Sequence, residues 1–211
     1  MKIQKLVVDA TNFRSDLCEL GAQFHADKSP YHANPGLHRH AYTATYVQAF
    51  ASLKNKAIDF AEIGLAGGSS AAMWLNWFPK ANCTFLDCDR NLLENFRKHN
   101  TPRTTLTHVD MDIPGDLTRV LNGKMYDVIL DDASHRSDHQ LRMIREATPF
   151  IKSGGYCIVE DIPRATDMAE WEEKLKDVLP EYCSATWILC NHEERYEAGW
   201  NNGSILMLVK N

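Results

Sequence analysis

The sequence predicts an α/β fold built on a doubly wound, mostly parallel sheet. From residue 57 onward, short apolar runs alternate with amphipathic segments, which is the pattern of repeated strand–helix units. The apolar runs are nearly continuous, as expected for strands that are buried on both faces. The last two runs, residues 185–190 and 203–210, have no helix between them. We therefore expect these two runs to form an antiparallel pair at one edge of the sheet, with the C-terminal strand antiparallel to the rest.

The predicted elements follow in a regular order. The strands are 57–64, 83–89, 104–110, 126–132 and 154–161, and the helices after them are 69–78, 91–99, 115–121, 137–151 and 167–179. The helical spacing is clear in 137–151, because Leu141, Ile144 and Ala147 share one face. A chain of 211 residues suits one compact domain with a full core. Residues 57–211 are therefore expected to form the sheet and its helices.

The first 56 residues do not follow this alternation, and we predict that residues 1–56 form a helical arm or cap. Residues 11–24 read as one helix and residues 41–53 as another, with Tyr42, Tyr46 and Phe50 on one stripe. The loop 25–40 between them is dense in His, Pro and Gly. Long ordered loops are often functional, but a simple capping role for this loop is equally consistent with the sequence.

Composition restricts the class of partner. The net charge is −5, with no cluster of Lys and Arg, so we expect a small-molecule partner rather than nucleic acid. No stretch is apolar enough to span a membrane, and the N-terminus lacks a secretory core, so we expect no membrane partner and a cytoplasmic location. The six cysteines are scattered and form no CxxC, which favours reduced thiols. A homo-oligomer is left open.

Each predicted parallel strand ends in acidic residues. Ligands of open α/β sheets bind at the carboxyl ends of the strands. One acidic strand end usually reflects a turn or a helix cap, but acids at all of these ends are hard to ascribe to turns. Adjacent buried carboxylates are costly unless a cation or hydrogen bonds offset them. The acids in question are Glu62, Asp87 with Asp89, Asp110 with Asp112, Asp131 with Asp132, and Glu160 with Asp161.

A glycine-rich turn joins the first of these strands to its helix. The segment EIGLAGGSS contains Gly64, Gly67 and Gly68, and glycines let a ligand approach the backbone. The segment is neither GxGxxG nor a phosphate-binding P-loop. Asp87 ends the next strand, where an acid is well placed to accept the two hydroxyls of a ribose. The turn therefore indicates a cofactor that contains a nucleoside.

From residue 57 to the C-terminus the chain resembles the class I S-adenosylmethionine-dependent methyltransferases, which have a Rossmann-like fold. The resemblance rests on EIGLAGGSS, on LDCD after the next strand and on the closing apolar pair. It implies S-adenosylmethionine as the cofactor, with Glu62 near the methionine portion and Asp87 on the ribose. The implied cofactor-binding residues are Glu62, Gly64, Gly67, Gly68, Ser69, Asp87, Asp110, Met111 and Asp131.

The motifs DDASH and VED narrow the resemblance. They resemble those of the metal-dependent sugar O-methyltransferases of macrolide and aminocoumarin pathways and of the related cephalosporin hydroxylase-like proteins. ADKS and HAYTATY in the arm resemble a segment that precedes the cofactor domain of that group, although Ala26 stands where Thr is usual. The resemblance implies a Mg²⁺ ion held by Asp132, Glu160 and Asp161, with His135 as the base.

The chemistry of these residue types agrees with the resemblance. Oxygen ligands select a hard cation such as Mg²⁺, which promotes loss of a proton from a substrate hydroxyl, and a histidine can accept that proton. We expect Mg²⁺-assisted O-methylation of a small hydroxylated acceptor, such as a sugar or natural product. Two alternatives stay open, namely a metal-independent methyltransferase and a catalytically silent cofactor-binding module. His139 is expected at the surface rather than in a site.

Overall fold

An eight-stranded sheet forms the centre of the computed structural model, which describes residues 1–31, 36–99, 101–196, 199 and 201–211. The strand order is β1-β7-β8-β6-β5-β2-β3-β4. Only β8 runs antiparallel to its neighbours within the described sheet, which confirms the predicted mixed sheet. The strands are β1 (Gln4–Asp9), β2 (Asp59–Ile63), β3 (Asn82–Asp87), β4 (Thr104–His108), β5 (Tyr126–Asp131), β6 (Ile151–Ile162), β7 (Tyr182–Asn191) and β8 (Ser204–Lys210).

Helices cover both faces of this sheet, and local capping sets several of their starts. The side chain of Ser15 caps the first helix, Asp89 caps the fourth and Asp167 caps the last, each by accepting from a backbone N–H. The helices are α1 (Asp16–Gln23), α2 (Tyr42–Phe50), α3 (Ser69–Trp77), α4 (Arg90–Arg97), α5 (Asp116–Leu121), α6 (Ser137–Ala147) and α7 (Met168–Lys174).

Two apolar layers hold the helices to the sheet. Phe60 and Leu130 point to one face, where they pack with Trp74 of α3 and Tyr46 of α2. The alternate residues, such as Ile129, point to the other face beneath α6 and α7. This alternation follows from the pleat of a strand. It also decides on which side of the sheet each strand-end acid points.

The structure differs from the sequence prediction in the arm and at several element ends. The arm is not purely helical, because residues 4–9 form β1 alongside β7. Only three apolar residues, flanked by polar ones, signal this strand. Helix α6 ends at Ala147 rather than at residue 151, because Pro149 has no N–H to donate to a carbonyl four residues earlier. The chain continues as a short 3-10 turn, Thr148–Phe150. The last two strands, β7 and β8, form the predicted antiparallel pair, but β1 lies outside this pair and is the edge strand.

The described parts of the loop 25–40, residues 25–31 and 36–40, lie over the carboxyl ends of the central strands. The backbone N–H of His40 donates to the carbonyl of Asp27, and Arg39 pairs with Tyr196 in an isolated bridge. In the part of the chain that the structure describes, no helix has both the length and the apolarity needed to cross a membrane.

Candidate active site

The carboxyl ends of β2, β5 and β6 lie side by side. Ile63 of β2 pairs with Asp131 of β5, which in turn pairs with Val159 of β6. The N–H of Asp132 donates to the carbonyl of Ile63 over 2.8 Å, so β5 continues its pairing one residue beyond its end. The predicted acids of these strands therefore lie together at the carboxyl ends of the strands, beside the turn that begins at Gly64.

Gly64 is required by two features of this turn. Its φ is 98°, which is unfavourable for residues with a side chain. A Cβ atom placed on Gly64 would also lie 2.0 Å from the carbonyl oxygen of Asp132. The glycine turn and the segment after β5 are thus in backbone contact, and the position of Asp132 depends on Gly64.

We expect Gly64→Ala to destabilise the fold and to weaken ligand binding more than an equivalent substitution elsewhere. Gly123 is the matched control, because its φ is 88° but a Cβ there would meet nothing within 4 Å. Comparing the unfolding free energies of the two variants separates the clash from the backbone strain that they share. Equal losses would mean that the contact with Asp132 is unimportant.

Two cavities meet above this turn. Cavity A, of about 280 Å³, is lined by residues that include Gly64, Ala66, Asp87, Asp110, Met111 and His139. Cavity B, of about 380 Å³, lies under the loop 25–40 and is lined by residues that include His25, Asp27, Leu37, His38, Gly67 and Ser69. Gly64, Ala66 and Asp132 line both cavities. A molecule in A and a molecule in B would therefore approach each other beside Asp132.

Asp87 both lines cavity A and fixes the glycine turn. One carboxylate oxygen accepts from the N–H of Leu65 at 2.8 Å and of Ala66 at 3.1 Å. The other oxygen accepts from the N–H of Asp89 at 2.8 Å. A carboxylate oxygen can accept more than one hydrogen bond, so Asp87 keeps the capacity to bind a ligand hydroxyl.

A buried lysine lies among the acids at the carboxyl ends of β2, β5 and β6. The ammonium group of Lys28, in the loop 25–40, donates to carboxylate oxygens of Asp132 and Glu160. It also lies 3.4 Å from a carboxylate oxygen of Glu62. The lysine side chain is only 1% exposed. Burial alone would lower the pKa of Lys28, but the charges of Asp132, Glu160 and Glu62 hold that pKa well above its ordinary value.

Two tyrosines of α2 complete the contacts of the two acids on β6. The hydroxyl of Tyr46 donates to the second carboxylate oxygen of Glu160. The hydroxyl of Tyr42 donates to Asp161 over 2.6 Å. Both oxygens of Glu160 thus have protein donors, whereas Asp161 keeps one oxygen turned towards His135.

Asp132, His135 and Asp161 form a cluster that can hold a metal ion. One ligand atom from each residue lies within 4.8 Å of those from the other two. The Nε2 atom of His135 is 3.5 Å from Asp161. His135 and Asp161 both have a φ of 55°, which is uncommon for residues other than glycine, and such strain concentrates at functional sites. The strained backbone therefore aims these two side chains at each other.

Burial favours the neutral form of His135. Burial lowers the pKa of His135, although the nearby Asp161 opposes this effect. Within the described part of the chain, its Nδ1 atom is buried and has no hydrogen-bond partner. A neutral imidazole can accept a proton, so His135 has the protonation state that a general base needs.

Comparison with known protein families accounts for this arrangement. Residues 61–162 match a family model described as a methyltransferase domain. This matched segment, just under half of the chain, is similar to a methyltransferase domain. It contains the glycine turn, Asp87 and the whole cluster of Asp132, His135 and Asp161.

Curated relatives of the domain are O-methyltransferases. The chain is 29% identical over 170 residues to an 8-demethyl-8-(2-methoxy-alpha-L-rhamnosyl)-tetracenomycin-C 3'-O-methyltransferase of Streptomyces olivaceus. That match covers 76% of this chain and 40% of the relative. Demethylmacrocin O-methyltransferase of Streptomyces fradiae is 27% identical over 131 residues, which is 58% of this chain and 32% of that enzyme. The chain thus spans well under half the length of these relatives.

Solved structures share the fold of the methyltransferase domain. MycE methyltransferase from the mycinamycin biosynthetic pathway, in complex with Mg and SAH, superposes with a TM-score of 0.67 at 19% identity. The superposition covers 94% of this chain and 55% of MycE. Human methyltransferase-like protein 13, in complex with SAH, gives a TM-score of 0.58 at 16% identity, covering 80% of this chain and 81% of that protein. The Rossmann-like methyltransferase fold predicted from the sequence is confirmed.

Most of the residues predicted to bind the cofactor line the two cavities, but three do not. Gly68 lies beneath the ring of Phe96, which leaves no room for a Cβ atom. Glu62 is fully buried and accepts from Ser70 at 2.5 Å and Trp74 at 3.3 Å. Asp131 points to the face of α6, and burial raises the pKa of Asp131 to about 7. Direct cofactor contact by these three residues stays a prediction.

The expectation that His139 lies at the surface is wrong. Its side chain is only 6% exposed and lines cavity A of the methyltransferase domain. Its ring atom Nδ1 is 2.9 Å from the hydroxyl of Ser134, and Nε2 is 3.2 Å from Asp112. Asp112 follows β4, so the burial of His139 depends on a loop that is distant in sequence.

Sequence reasoning did not assign roles to Lys28, Tyr42 and Tyr46. Lys28 belongs to the ADKS segment and the tyrosines to HAYTATY, so the motif resemblance was the available signal. The helical stripe of Tyr42 and Tyr46 correctly predicted burial, but not that their hydroxyls contact Glu160 and Asp161. His32 and Trp200 lie outside the described residues.

Proposed function

We propose that the chain is an S-adenosylmethionine-dependent, Mg²⁺-assisted O-methyltransferase that acts on a hydroxyl group of a small molecule bearing a sugar. The observation that carries the proposal is the convergence of Asp132, His135 and Asp161 where cavities A and B meet. The activities of the relatives support it, since these enzymes are O-methyltransferases of a rhamnosyl tetracenomycin and of demethylmacrocin.

Cavity A is the proposed site of S-adenosylmethionine. Asp87 would accept hydrogen bonds from the ribose hydroxyls, and Met111 with Asp110 would border the adenine. Gly64 lets the backbone approach the cofactor closely. When bound, S-adenosylmethionine supplies a methyl group on a positively charged sulfur. The SAH in the MycE structure supports this assignment.

S-adenosylmethionine should bind to the protein, and Asp87→Ala should weaken this binding. The expected loss of affinity is about 10-fold to 100-fold, because hydrogen bonds to a charged group contribute about 1.5–3 kcal/mol. Asp89→Ala is the matched control, since Asp89 caps α4 and does not belong to the described lining of cavity A. Isothermal titration calorimetry measures both. If wild-type protein gives no heat, or Asp87→Ala binds normally, the cofactor assignment fails.

The residues around Asp132 fit a magnesium ion. Carboxylate oxygens are the preferred ligands of Mg²⁺, and Asp132 and Asp161 each have an oxygen in the cluster with His135. The prediction that Glu160 is a further ligand stays a prediction, because its oxygens accept from Lys28 and Tyr46. When bound, Mg²⁺ lowers the pKa of an acceptor hydroxyl.

His135 is the proposed general base. The acidic side chains turned towards the site, Asp161 and Asp132, favour an imidazole that gains positive charge during the reaction. Asp161 orients the ring at 3.5 Å and is itself held by Tyr42. Proximity of the two substrates then supplies much of the rate, because the attacking oxygen and the methyl group must lie in line.

Cavity B is the proposed acceptor site. Its wall carries the polar side chains of His25, Asp27 and His38 beside Leu37. Polar groups that can donate and accept hydrogen bonds next to an apolar surface suit a sugar, which has both hydroxyls and C–H faces. The negative net charge favours such an acceptor over nucleic acid.

Activity should require a divalent cation. Excess chelator is expected to abolish methyl transfer to a sugar-bearing acceptor, and added Mg²⁺ should restore it. Asp132→Asn should lower the rate and raise the Mg²⁺ concentration needed, whereas Asp138→Asn, an exposed change on α6, should behave as wild type. Full turnover in chelator would favour a metal-independent methyltransferase. Cofactor binding without turnover of any hydroxylated acceptor would favour the silent module.

A further inference from the structure

The edge strand β1 has one side of its backbone paired and the other side open. The N–H of Ala10 donates to the carbonyl of Asn191 in β7. The backbone N–H and C=O groups of successive residues in a strand point to opposite sides. Since Ala10 faces β7, the backbone groups of the even-numbered residues of β1 face β7 as well. Those of Lys5, Val7 and Asp9 point outward, and no hydrogen-bond partner for them occurs among the described residues. Only Ile3, just before β1, has an outward N–H that is capped, by Glu172.

This open edge is apolar at its centre. Val7 is 56% exposed and Leu6 is 47% exposed, on opposite faces of the strand. Edge strands of soluble proteins are usually protected by charges, prolines or bulges at their centre, whereas here the charges of Lys5 and Asp9 flank the apolar residues. The pattern is that of a strand that pairs with another strand.

We propose that a second copy of this chain pairs with β1 in antiparallel orientation about a two-fold axis at Val7. An antiparallel pair exchanges hydrogen bonds only between residues whose backbone groups face each other. The register centred on Val7 places all three outward residues opposite outward residues. Val7 then faces Val7 of the partner subunit, and Lys5 faces Asp9 of the partner subunit.

The side chains are complementary in the same register. Two Lys5–Asp9 ion pairs, related by symmetry, flank the central valines on one face. On the other face Leu6 lies opposite Val8 of the partner subunit, which covers its exposed surface. The neighbouring registers, centred on Leu6 or on Val8, would place Val7 opposite Lys5 or opposite Asp9 and would lose both ion pairs. Charge and apolarity therefore both select the register at Val7.

The contact is small, so we expect a dimer whose population depends on concentration. A six-residue edge strand buries less surface than the interfaces of stable complexes. The interface lies at the opposite end of the sheet order from β3 and β4, and involves no residue of cavities A or B. The inference is therefore independent of the proposed function.

Sedimentation velocity over a range of protein concentrations tests the dimer. The wild-type chain should shift from monomer to dimer as concentration rises. Val7→Lys should remain a monomer, because it places two like charges on the axis. Ile113→Lys is the control for surface apolarity, since Ile113 is 55% exposed and outside the edge, and it should dimerise normally. A wild type that stays monomeric, or a dimer insensitive to Val7→Lys, would overturn the proposal.

Charge reversal tests the register. Lys5→Glu and Asp9→Lys should each weaken dimerisation by roughly tenfold, because each replaces two attractive pairs with two repulsive ones. The double variant exchanges the charges and should recover dimerisation close to that of the wild type. Failure of the double variant to recover, with both single variants folded by circular dichroism, would overturn the register at Val7.

Discussion

Replacing His135 with alanine is expected to lower kcat by about 10²–10⁴-fold, which is the usual contribution of a positioned general base. The affinity for S-adenosylmethionine should change little, because His135 is not among the described residues that line cavity A. A neutral imidazole beside Asp161 is the group best placed to take a proton from an acceptor hydroxyl near Asp132. Steady-state kinetics with calorimetry of the cofactor separates the two effects.

His139→Ala provides the contrast for this experiment. His139 lines cavity A, so its removal should raise the KM for S-adenosylmethionine, with a smaller effect on kcat. The Mg²⁺ concentration that His135→Ala needs for half-maximal activity provides a second measurement. If it equals that of the wild type, His135 acts in proton transfer rather than in metal binding. If His135→Ala keeps wild-type kcat, the base is another group.

Replacing Lys28 with methionine is expected to reduce the free energy of unfolding by about 3–5 kcal/mol. Methionine has a similar length but no charge, and it would leave Glu160, Asp132 and Glu62 buried without their cation. Removing one partner of a buried ion pair typically has a cost of this size. Denaturant titration monitored by circular dichroism measures the loss.

Lys54→Met is the control for this substitution. Lys54 pairs with Asp16 at the surface, with a side chain that is 33% exposed, and such pairs contribute about 0–1 kcal/mol. Added Mg²⁺ should recover part of the stability of Lys28→Met, because a divalent cation offsets the same carboxylates. A loss no greater than that of Lys54→Met would show that Lys28 does not balance the acids.

The sheet and half of the candidate site were predictable because their signals are local. Apolar runs alternate with amphipathic helices, and parallel strands bring their carboxyl ends together, so Asp132 and Asp161 were expected to be neighbours. The position of Lys28 was not predictable in this way, because it reaches Glu160 across 132 residues of sequence. Nothing in the local sequence of a loop indicates that its lysine will be buried.

The burial of His139 and the formation of β1 escaped prediction for related reasons. His139 follows Asp138 on the first turn of a helix whose exposed face is polar, and nothing local signals its contacts with Ser134 and with the distant Asp112. β1 is short and lies at the sheet edge, so most of its residues are exposed and its pattern is not that of a buried strand. In both cases the contact is made with a segment distant in sequence, Asp112 for His139 and β7 for β1. The fold determines these contacts, and the neighbouring residues do not signal them.

The contacts of α2 and the loop 25–40 have a consequence for how this protein can change over generations. Lys28, Tyr42 and Tyr46 are the charge and hydrogen-bond partners of acids on β6 and after β5. A substitution at Glu160 is therefore expected to require a compensating change at Lys28 or Tyr46. Residues 1–56 and strands β2–β8 are expected to evolve together, because a homologue that recombined them separately would lose the partners of these acids.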